Sequence, residues 1–385
     1  MLIAAMNQLL WITFAPITSA AVKFYGTSEL MIGLLSMLFM VVYIVLVLPS
    51  AWLIDTRGFR AAVGLGAALT AGFALTRGIF ADNFTLVFIS QIGIACGQPL
   101  ILGAITKLAA RWFPLNERAT AVGLGTLALY LGILAAMLIT PGLMISYSLG
   151  GMLIIYGIVA VVAAVLFFIF AKDKPETPPG PAGSDERTLV FDGLRSMLRQ
   201  KDFILLLVIF FIGLGMFNGI STWIEEIVLP RGFSISQAGM LGGMMLIGGI
   251  VGALFLPLIS DQVRRRKPFI LLALIGLVPG LVGMTFATSY WLLLISGFAF
   301  GFFLLSSGPI GFQYGAEITY PAPEGTSNSL LLVMGQISGI IFIFGMDLFK
   351  SAQTGAMTIS LLALLGLTIF SIILSLFLNE SPVRS

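Results

Sequence analysis

The sequence contains no histidine and only one cysteine, Cys96. These absences exclude an internal disulfide, a metal site built from cysteine and histidine, a Ser-His-Asp triad and a histidine proton relay. Charged residues are also scarce, at 10% of the 385 residues, whereas a soluble domain carries about 25%. We therefore expect neither a soluble domain nor an enzyme of these classes, and we expect no cofactor.

Apolar residues make up 58% of the chain, and the mean hydropathy is +1.07. Such a chain cannot hide its apolar surface in its own interior, so a lipid bilayer must be its solvent. The first apolar stretch begins at Met1 without a basic region or a small-residue cleavage site, which indicates a membrane helix and not a signal peptide. A membrane span needs about 20 mostly apolar residues, and the stretches that qualify are 3–23, 29–53, 61–81, 84–109, 119–141, 147–171, 203–228, 236–259, 268–287, 291–315, 325–349 and 355–378.

The longest polar stretch, Lys172 to Lys201, separates the sixth span from the seventh. Its prolines and charges are typical of a linker, and a short amphipathic helix is predicted around Phe191–Leu198. The fold we expect is an all-α membrane protein of twelve transmembrane helices in two pseudo-symmetric six-helix bundles. The predicted domains are a bundle at 1–171, a cytoplasmic linker at 172–201 and a second bundle at 202–385.

Lysine and arginine predict the orientation of the chain in the membrane. If the N-terminus is inside, the inside segments hold fifteen of these residues, and the outside segments hold only Lys23, Arg231 and Lys350. Because cytoplasmic loops are enriched in positive charge, both termini are predicted to be cytoplasmic, in the plasma membrane or a prokaryotic cytoplasmic membrane. The basic residues are not interleaved with exposed aromatics, so we expect no nucleic-acid partner; we expect a monomer.

Two short loops share one design and lie 206 positions apart. Asp55–Arg60 and Asp261–Lys267 each place one acid ahead of a basic cluster, between two apolar stretches. The same offset aligns Arg111–Arg118 with Glu317–Glu324. The chain is therefore predicted to contain two copies of one layout, which is how many transporters are built, with the substrate site near the bilayer midplane.

The sequence Asp55-x-x-Gly58-x-Arg60 resembles the signature loop of the major facilitator superfamily. An acid at the end of one helix can pair with arginines at the head of the next, and such a contact would stabilise one state of an alternating-access cycle. Simple positive-inside anchoring is the alternative. The candidate gating residues in these inner loops are Asp55, Arg57, Arg60, Asp261, Arg264, Arg265, Glu317 and Glu324.

A narrower resemblance begins at residues 317–327, which read Glu-Ile-Thr-Tyr-Pro-Ala-Pro-Glu-Gly-Thr-Ser. This segment is similar to a loop of the feline leukaemia virus subgroup C receptor family, solute carrier family 49. Further segments resemble the same family, namely Trp11-Ile12, Gly97–Pro99, Lys107–Phe113, Asn116–Ala121 and Gln336–Phe342. The resemblance implies transport of a small organic solute, with choline and ethanolamine as the expected cargo, and it implies no chemistry on that solute.

Gln98 and Gln336 lie near the middle of the fourth and eleventh spans, where polar residues are costly and usually face the bundle interior. They either bond neighbouring helices or line a cavity, and the family resemblance implies cavity lining. Trp11 lies halfway through the first span, and the family resemblance implies that a tryptophan at this position forms one wall of a cage for an ammonium group.

The resemblance places the second wall of this cage on a tyrosine of the seventh span, but the residue here is Asn218. The cage is lost unless Phe217, Tyr43 or Tyr130 replaces that wall. An amide gives little to a quaternary ammonium, because such a group cannot donate a hydrogen bond. The departure therefore favours a more polar substrate than choline.

Acidic residues near the outer end of the seventh span, Glu225 and Glu226, are either an outer gate or a solvated helix end. Arg77, near the outer end of the third span, is expected to pair with Asp82 or to extend to the interface. Lys107 is expected to point to the cytoplasm. No acid sits at the centre of a span, so facilitated diffusion is preferred to proton coupling.

The sequence as a whole predicts an alternating-access transporter of a small polar or cationic organic solute. The alternative within this class is a proton-coupled exporter of drugs or metabolites. A membrane receptor or sensor without transport is an alternative of another class, but it would need a large extracellular module, and every outside loop is short. A membrane enzyme would need a cluster of catalytic residues at one depth, which the sequence does not provide.

Overall fold

The structure is a computed structural model that describes residues 1–113, 117–173, 197–320 and 324–381, apart from the side chains of residues 110, 118, 119, 324 and 325. These residues are almost entirely helical. The chain divides into two compact units, Met1–Glu186 and Arg187–Ser385. Of the predicted amphipathic helix, only Met197 and Leu198 fall within the described residues.

The first unit contains seven described α-helices and one 3₁₀ turn. They are α1 (Leu2–Ile12), the 3₁₀ turn Ala15–Ile17, α2 (Thr18–Tyr25), α3 (Glu29–Arg57), α4 (Phe59–Ile79), α5 (Phe84–Leu102), α6 (Ala104–Trp112) and α7 (Arg118–Phe170). Inside this unit, α4 packs against α5 and α7, while α1 packs against α7, α5 and α3. Helix α1 therefore contacts the helices that carry Tyr43, Gln98 and Tyr130.

Several predicted spans of the first unit are interrupted helices. The first span breaks before the 3₁₀ turn that contains Pro16, a residue without a backbone N–H. The fourth breaks at Gly103, whose N–H donates to the Pro99 carbonyl at 3.1 Å. The fifth and sixth are joined in α7 across Ser148, where φ is 65°, a left-handed conformation that bends the chain.

The second unit contains the remaining seven described α-helices. They are α8 (Lys201–Thr222), α9 (Ile224–Val228), the 3₁₀ turn Leu229–Arg231, α10 (Ile235–Val263), α11 (Lys267–Phe286), α12 (Tyr290–Thr319), α13 (Glu324–Leu348) and α14 (Thr358–Leu376). Here α12 packs against α10 and α11, and α8 packs against α13 and α14. The pair α8 and α13 carries the candidate binding residues of this unit.

Eleven helical runs among the described residues are long and apolar enough to cross a membrane. One of them, Thr120–Phe170, is 51 residues long and contains both the fifth and the sixth predicted spans. The twelve predicted spans therefore all fall on helices. The backbone conformation at Ser148 lies at the start of the sixth predicted span and marks the boundary between the two spans.

Candidate functional site

Trp11 is held in place by a hydrogen bond across helices. Its Nε1 donates to the backbone oxygen of Ser36 on α3 at 3.0 Å, and the side chain is buried. One turn earlier, the Asn7 amide donates to Thr70 Oγ1 at 3.1 Å and to the Ile94 oxygen at 3.2 Å. Because the only donor of the indole is used, Trp11 can offer a ligand only its aromatic ring.

Gln98 is buried on α5, and its Oε1 has no hydrogen-bond partner among the described residues. The next residue, Pro99, lies inside the helix and has no N–H to give to the Ala95 carbonyl. A buried polar group without a partner is costly, so the cavity role of Gln98 stays a prediction that this unpartnered oxygen motivates.

The two tyrosines proposed as replacement walls also lie in the first unit. Tyr43 is buried on α3, and Tyr130 is partly exposed on α7. Within the part of the chain that is described, neither hydroxyl makes a hydrogen bond. Together with Trp11 and Gln98 they occupy four helices, of which α1 contacts the other three; no direct hydrogen bond joins any two of the four.

In the second unit, Asn218 contacts the backbone next to Gln336. Its Nδ2 donates to the Gly335 oxygen at 3.2 Å. Gly335 allows this approach, because a Cβ there would lie 2.5 Å from Leu214 Cδ1 of α8. Two adjacent residues complete the group, buried Phe217 beside Asn218 and partly exposed Gln336 after Gly335. The structure thus brings three of the predicted binding residues together on α8 and α13.

Glu225 and Glu226 on α9 are not a solvated helix end. Glu225 is 0% exposed and Glu226 is 1% exposed. The Glu226 Oε2 atom lies 2.6 Å from Lys350 Nζ. Nearby, Trp223 Nε1 donates to the Ile343 oxygen of α13 at 3.0 Å. The sequence places these acids near the outer membrane interface. In the structure, α9 buries both side chains inside the second unit, and the Lys350 ammonium pairs with the Glu226 carboxylate.

The inner loop of the first unit differs from its expected pairing. Asp55 pairs with Lys107 of α6 at 2.7 Å, and Lys107 also donates to the Ile54 oxygen at 2.8 Å. Lys107 therefore does not point freely to the cytoplasm, and Asp55 does not pair with Arg57 or Arg60. Arg60 instead donates its backbone N–H to Asp173 Oδ1 at 2.8 Å, while its guanidinium reaches the Phe168 oxygen at 3.4 Å.

Arg266 is the centre of the inner network of the second unit. Its guanidinium forms ion pairs with Asp261 and, at 3.1 Å, with Glu317. Its backbone N–H donates to Glu380 Oε1 at 2.7 Å. The predicted gating residues Arg264 and Arg265 are exposed instead, because the chain adopts a left-handed conformation at Arg264, with φ of 54°.

The contacts of one gating candidate, Glu324, cannot be assigned from the described residues. Glu324 begins α13, and its side chain lies outside the described residues.

The capping acids Asp173 and Glu380 were not predicted. The sequence shows each of them only as an acid shortly after a span, Asp173 after the sixth span and Glu380 after the last one. Each bonds the first N–H groups of the helix that follows the charged loop, where a negative charge is favoured.

Arg77 also differs from its expectation. It is fully buried and donates to Gln91 Oε1 at 2.6 Å and to the Leu10 oxygen at 3.3 Å. Asp82 is exposed and forms no ion pair with it. The only sequence signal for this contact was the glutamine itself, a polar residue eight positions into the apolar fourth span.

The sequence profile of the Major Facilitator Superfamily matches residues 1–343. Solute carrier family 49 member A3 of Danio rerio is 32% identical over 357 residues, covering 89% of this chain and 75% of the relative. The chain belongs to the major facilitator superfamily and to solute carrier family 49. Another relative, the choline/ethanolamine transporter FLVCR2 of Homo sapiens, is 30% identical over 357 residues, covering 87% of this chain and 68% of that one.

Solved structures agree on the fold. The nucleoside transporter NupG has a TM-score of 0.75 at 13% identity and covers 97% of both chains. A bacterial homologue of the human lysosomal transporter Spinster has a TM-score of 0.72 at 15% identity, covering 97% of this chain and 93% of that one. The predicted all-α major facilitator fold is confirmed, and the chain is a multi-pass membrane transporter for a small molecule.

Proposed function

We propose that this transporter carries a small, polar or cationic organic solute of the choline and ethanolamine class by facilitated, alternating-access transport. The observation that carries this proposal is the 30% identity, over 357 residues, to proteins named choline/ethanolamine transporters, among them those of Homo sapiens and Danio rerio. The described side chains give the proposal chemical support. Trp11 offers an aromatic ring to a cation, and Gln98 offers a buried acceptor without a partner.

Within this class we propose that a primary amine is preferred to a quaternary one. The Asn218 Nδ2 donates one hydrogen bond to the Gly335 oxygen, and its carbonyl oxygen is the acceptor that the side chain can offer to a ligand. An ammonium with N–H bonds, as in ethanolamine, can donate to that oxygen, whereas the methylated ammonium of choline cannot. The cation–π attraction of Trp11 serves both ligands.

The proposal includes the setting of the transporter. We place it in the plasma membrane, or in the cytoplasmic membrane of a prokaryote, as a monomer with both termini cytoplasmic and without a nucleic-acid partner. The lysine and arginine bias of the loops supports this orientation. Labelling of single cysteines introduced into the Lys172–Lys201 segment from each side of the membrane tests it, and labelling from the outside would overturn it.

Uptake into proteoliposomes tests the substrate class. Purified protein is reconstituted, and uptake of labelled ethanolamine and choline is followed with and without unlabelled solute inside. Saturable uptake of ethanolamine, accelerated by unlabelled ethanolamine on the other side, is the expected result. Folded protein that transports neither solute would contradict the proposal, and competition by sugars, nucleosides or amino acids would then identify the correct class.

A proton-coupled exchange is the second candidate, because Glu225 and Glu226 are buried in a membrane protein. Buried ionisable groups in membrane spans often belong to proton pathways. An imposed pH gradient decides between the two mechanisms. Facilitated diffusion predicts that uptake at equal solute concentration follows only the solute gradient, whereas coupling predicts accumulation driven by the pH gradient and lost in Glu226→Gln.

A further inference from the structure

Arg77 carries a positive charge that no acid of the described chain neutralises. It lies on α4 and is 0% exposed. Its Nη1 donates to the neutral acceptors Gln91 Oε1, at 2.6 Å, and the Leu10 oxygen, at 3.3 Å. The Phe14 ring centroid lies 5.5 Å from the guanidinium carbon. An uncompensated charge in such a setting is strongly unfavourable, so it calls for an anion.

The unpartnered part of this guanidinium has a defined shape. Nη1 is occupied, while Nε and Nη2 have no hydrogen-bond partner among the described residues. Nε–H and one Nη2–H of arginine point in parallel along the same edge, which is the fork that binds both oxygens of a carboxylate. The side chain of Gln91 is fixed by its own bonds to the Leu10 and Leu35 oxygens, so the fork is held in position.

A third donor lies on the neighbouring helix. The Tyr25 hydroxyl is buried without a hydrogen-bond partner among the described residues, and its ring centroid lies 5.2 Å from that of Phe84 on α5, the helix that also carries Gln91. A phenol can donate its proton to an anion. Asn7, which also belongs to this part of α1, is committed to Thr70 and Ile94. Buried donors without a partner are therefore found on Arg77 and Tyr25, and also on Gln8 of α1 through its Nε2.

We propose that the first unit binds a carboxylate group on the Nε and Nη2 edge of Arg77, with the Tyr25 hydroxyl as a third donor. The carboxylate is either that of a free small anion or a group carried on the transported solute. The Leu10 oxygen accepts a hydrogen bond from Arg77, and the next residue of α1 is Trp11, the predicted wall for an ammonium group. The site itself does not depend on the proposed substrate class.

Thermal unfolding of the protein in lipid nanodiscs tests the site, with sodium acetate as the probe and sodium chloride at equal ionic strength as the reference. The samples need long incubation, because Arg77 is closed to solvent. The expected result is a melting temperature that rises with acetate and saturates, as mass action requires for a ligand of the folded state. Equal effects of acetate and chloride, or no effect of either, would mean that water alone satisfies Arg77 and would overturn the proposal.

Three variants assign the effect to these residues. Arg77→Lys keeps the charge without the fork and should raise the half-saturating acetate concentration at least tenfold; Tyr25→Phe should raise it less. Gln91→Glu places a carboxylate of the chain against Arg77 and should increase stability without acetate while removing the acetate response. Arg231→Lys, outside the site, should respond like the wild type. An acetate response that survives both Arg77→Lys and Gln91→Glu would overturn the proposal.

A matched pair of probes separates the two sources of the carboxylate. Glycine betaine and choline share one quaternary ammonium, but betaine carries a carboxylate where choline carries a hydroxymethyl group. If the group is carried on the solute, betaine competes for uptake better than choline, and Arg77→Lys removes that difference. If the anion is free, the two compete equally, while acetate still raises the melting temperature. Failure of all uptake, with the acetate response intact, would contradict the proposed function but not this site.

Discussion

The Asn218 side chain donates a hydrogen bond to the backbone oxygen of Gly335, at 3.2 Å, the residue directly before Gln336. Two candidate binding residues from different helices are thereby held in one rigid frame. Glycine makes the frame possible, since a side chain at 335 would meet Leu214. A change in the contact between α8 and α13 should therefore alter binding at both positions together.

The first prediction concerns the two mid-span glutamines. Gln98→Ala and Gln336→Ala should each reduce uptake more than tenfold without loss of folded protein. The loss of one hydrogen bond to a charged or buried group costs about 1.5–3 kcal/mol, and about 1.4 kcal/mol corresponds to tenfold. Proteoliposome uptake at equal protein amounts measures this. Gln353→Ala, an exposed loop glutamine, is the control, and normal uptake by both variants would contradict the cavity assignment.

The second prediction concerns the inner-loop acids. Asp55→Asn removes the ion pair with Lys107, and Asp261→Asn removes one of the two carboxylates that pair with Arg266. Both changes should shift the transporter toward inward-open states. A reporter cysteine near Gln98, in a Cys96→Ser background, should then react faster with a reagent added from the cytoplasmic side. Asp82→Asn, at an exposed position without a hydrogen bond to a described residue, is the matched control. Unchanged labelling in both variants would contradict the gating role and would mean that these acids affect only the membrane topology of the loops.

The third prediction concerns selectivity at Asn218. Asn218→Tyr should move preference toward choline by about 0.5–2 kcal/mol, the strength of one cation–π contact, because it replaces an amide by an aromatic wall. Competition of choline and ethanolamine for uptake measures the ratio in both proteins. Asn218→Phe, which adds the ring without the hydroxyl, should shift the ratio in the same direction. If the wild type binds choline tightly and both variants bind it equally well, the ammonium group is not bound at position 218 and the prediction is wrong.

The fourth prediction concerns the packing of α8 against α13. Gly335→Ala should destabilise the protein by about 1–3 kcal/mol, the cost of overpacking a tight contact, and should weaken transport by moving Asn218. Gly345→Ala lies on the same helix with nothing within 4 Å of its Cβ. It should be neutral or stabilise the helix by up to about 1 kcal/mol. Thermal unfolding of both variants in nanodiscs gives the comparison, and equal stability would contradict the close-approach argument.

The sequence by itself was sufficient for the all-helical membrane fold and the family. Hydropathy is summed over about 20 neighbouring residues, and the charged loops Asp55–Arg60 and Asp261–Lys267 are contiguous in the chain. Both signals are local, so they needed no coordinates. The sequence also identified Trp11, Gln98, Asn218 and Gln336 as unusual, because polar or amphipathic residues in mid-span are rare. Their role in binding stays a prediction.

The tertiary structure decided which residues meet. Asp55 contacts Lys107 and not Arg57, Arg77 contacts Gln91 and not Asp82, and Glu226 is buried against Lys350. Pattern alone could not give these partners, because a membrane helix is apolar on all sides and carries no polar stripe to show which face turns inward. Rotation about the helix axis is set by close contacts such as Gly335 against Leu214, and those contacts exist only once the helices are packed.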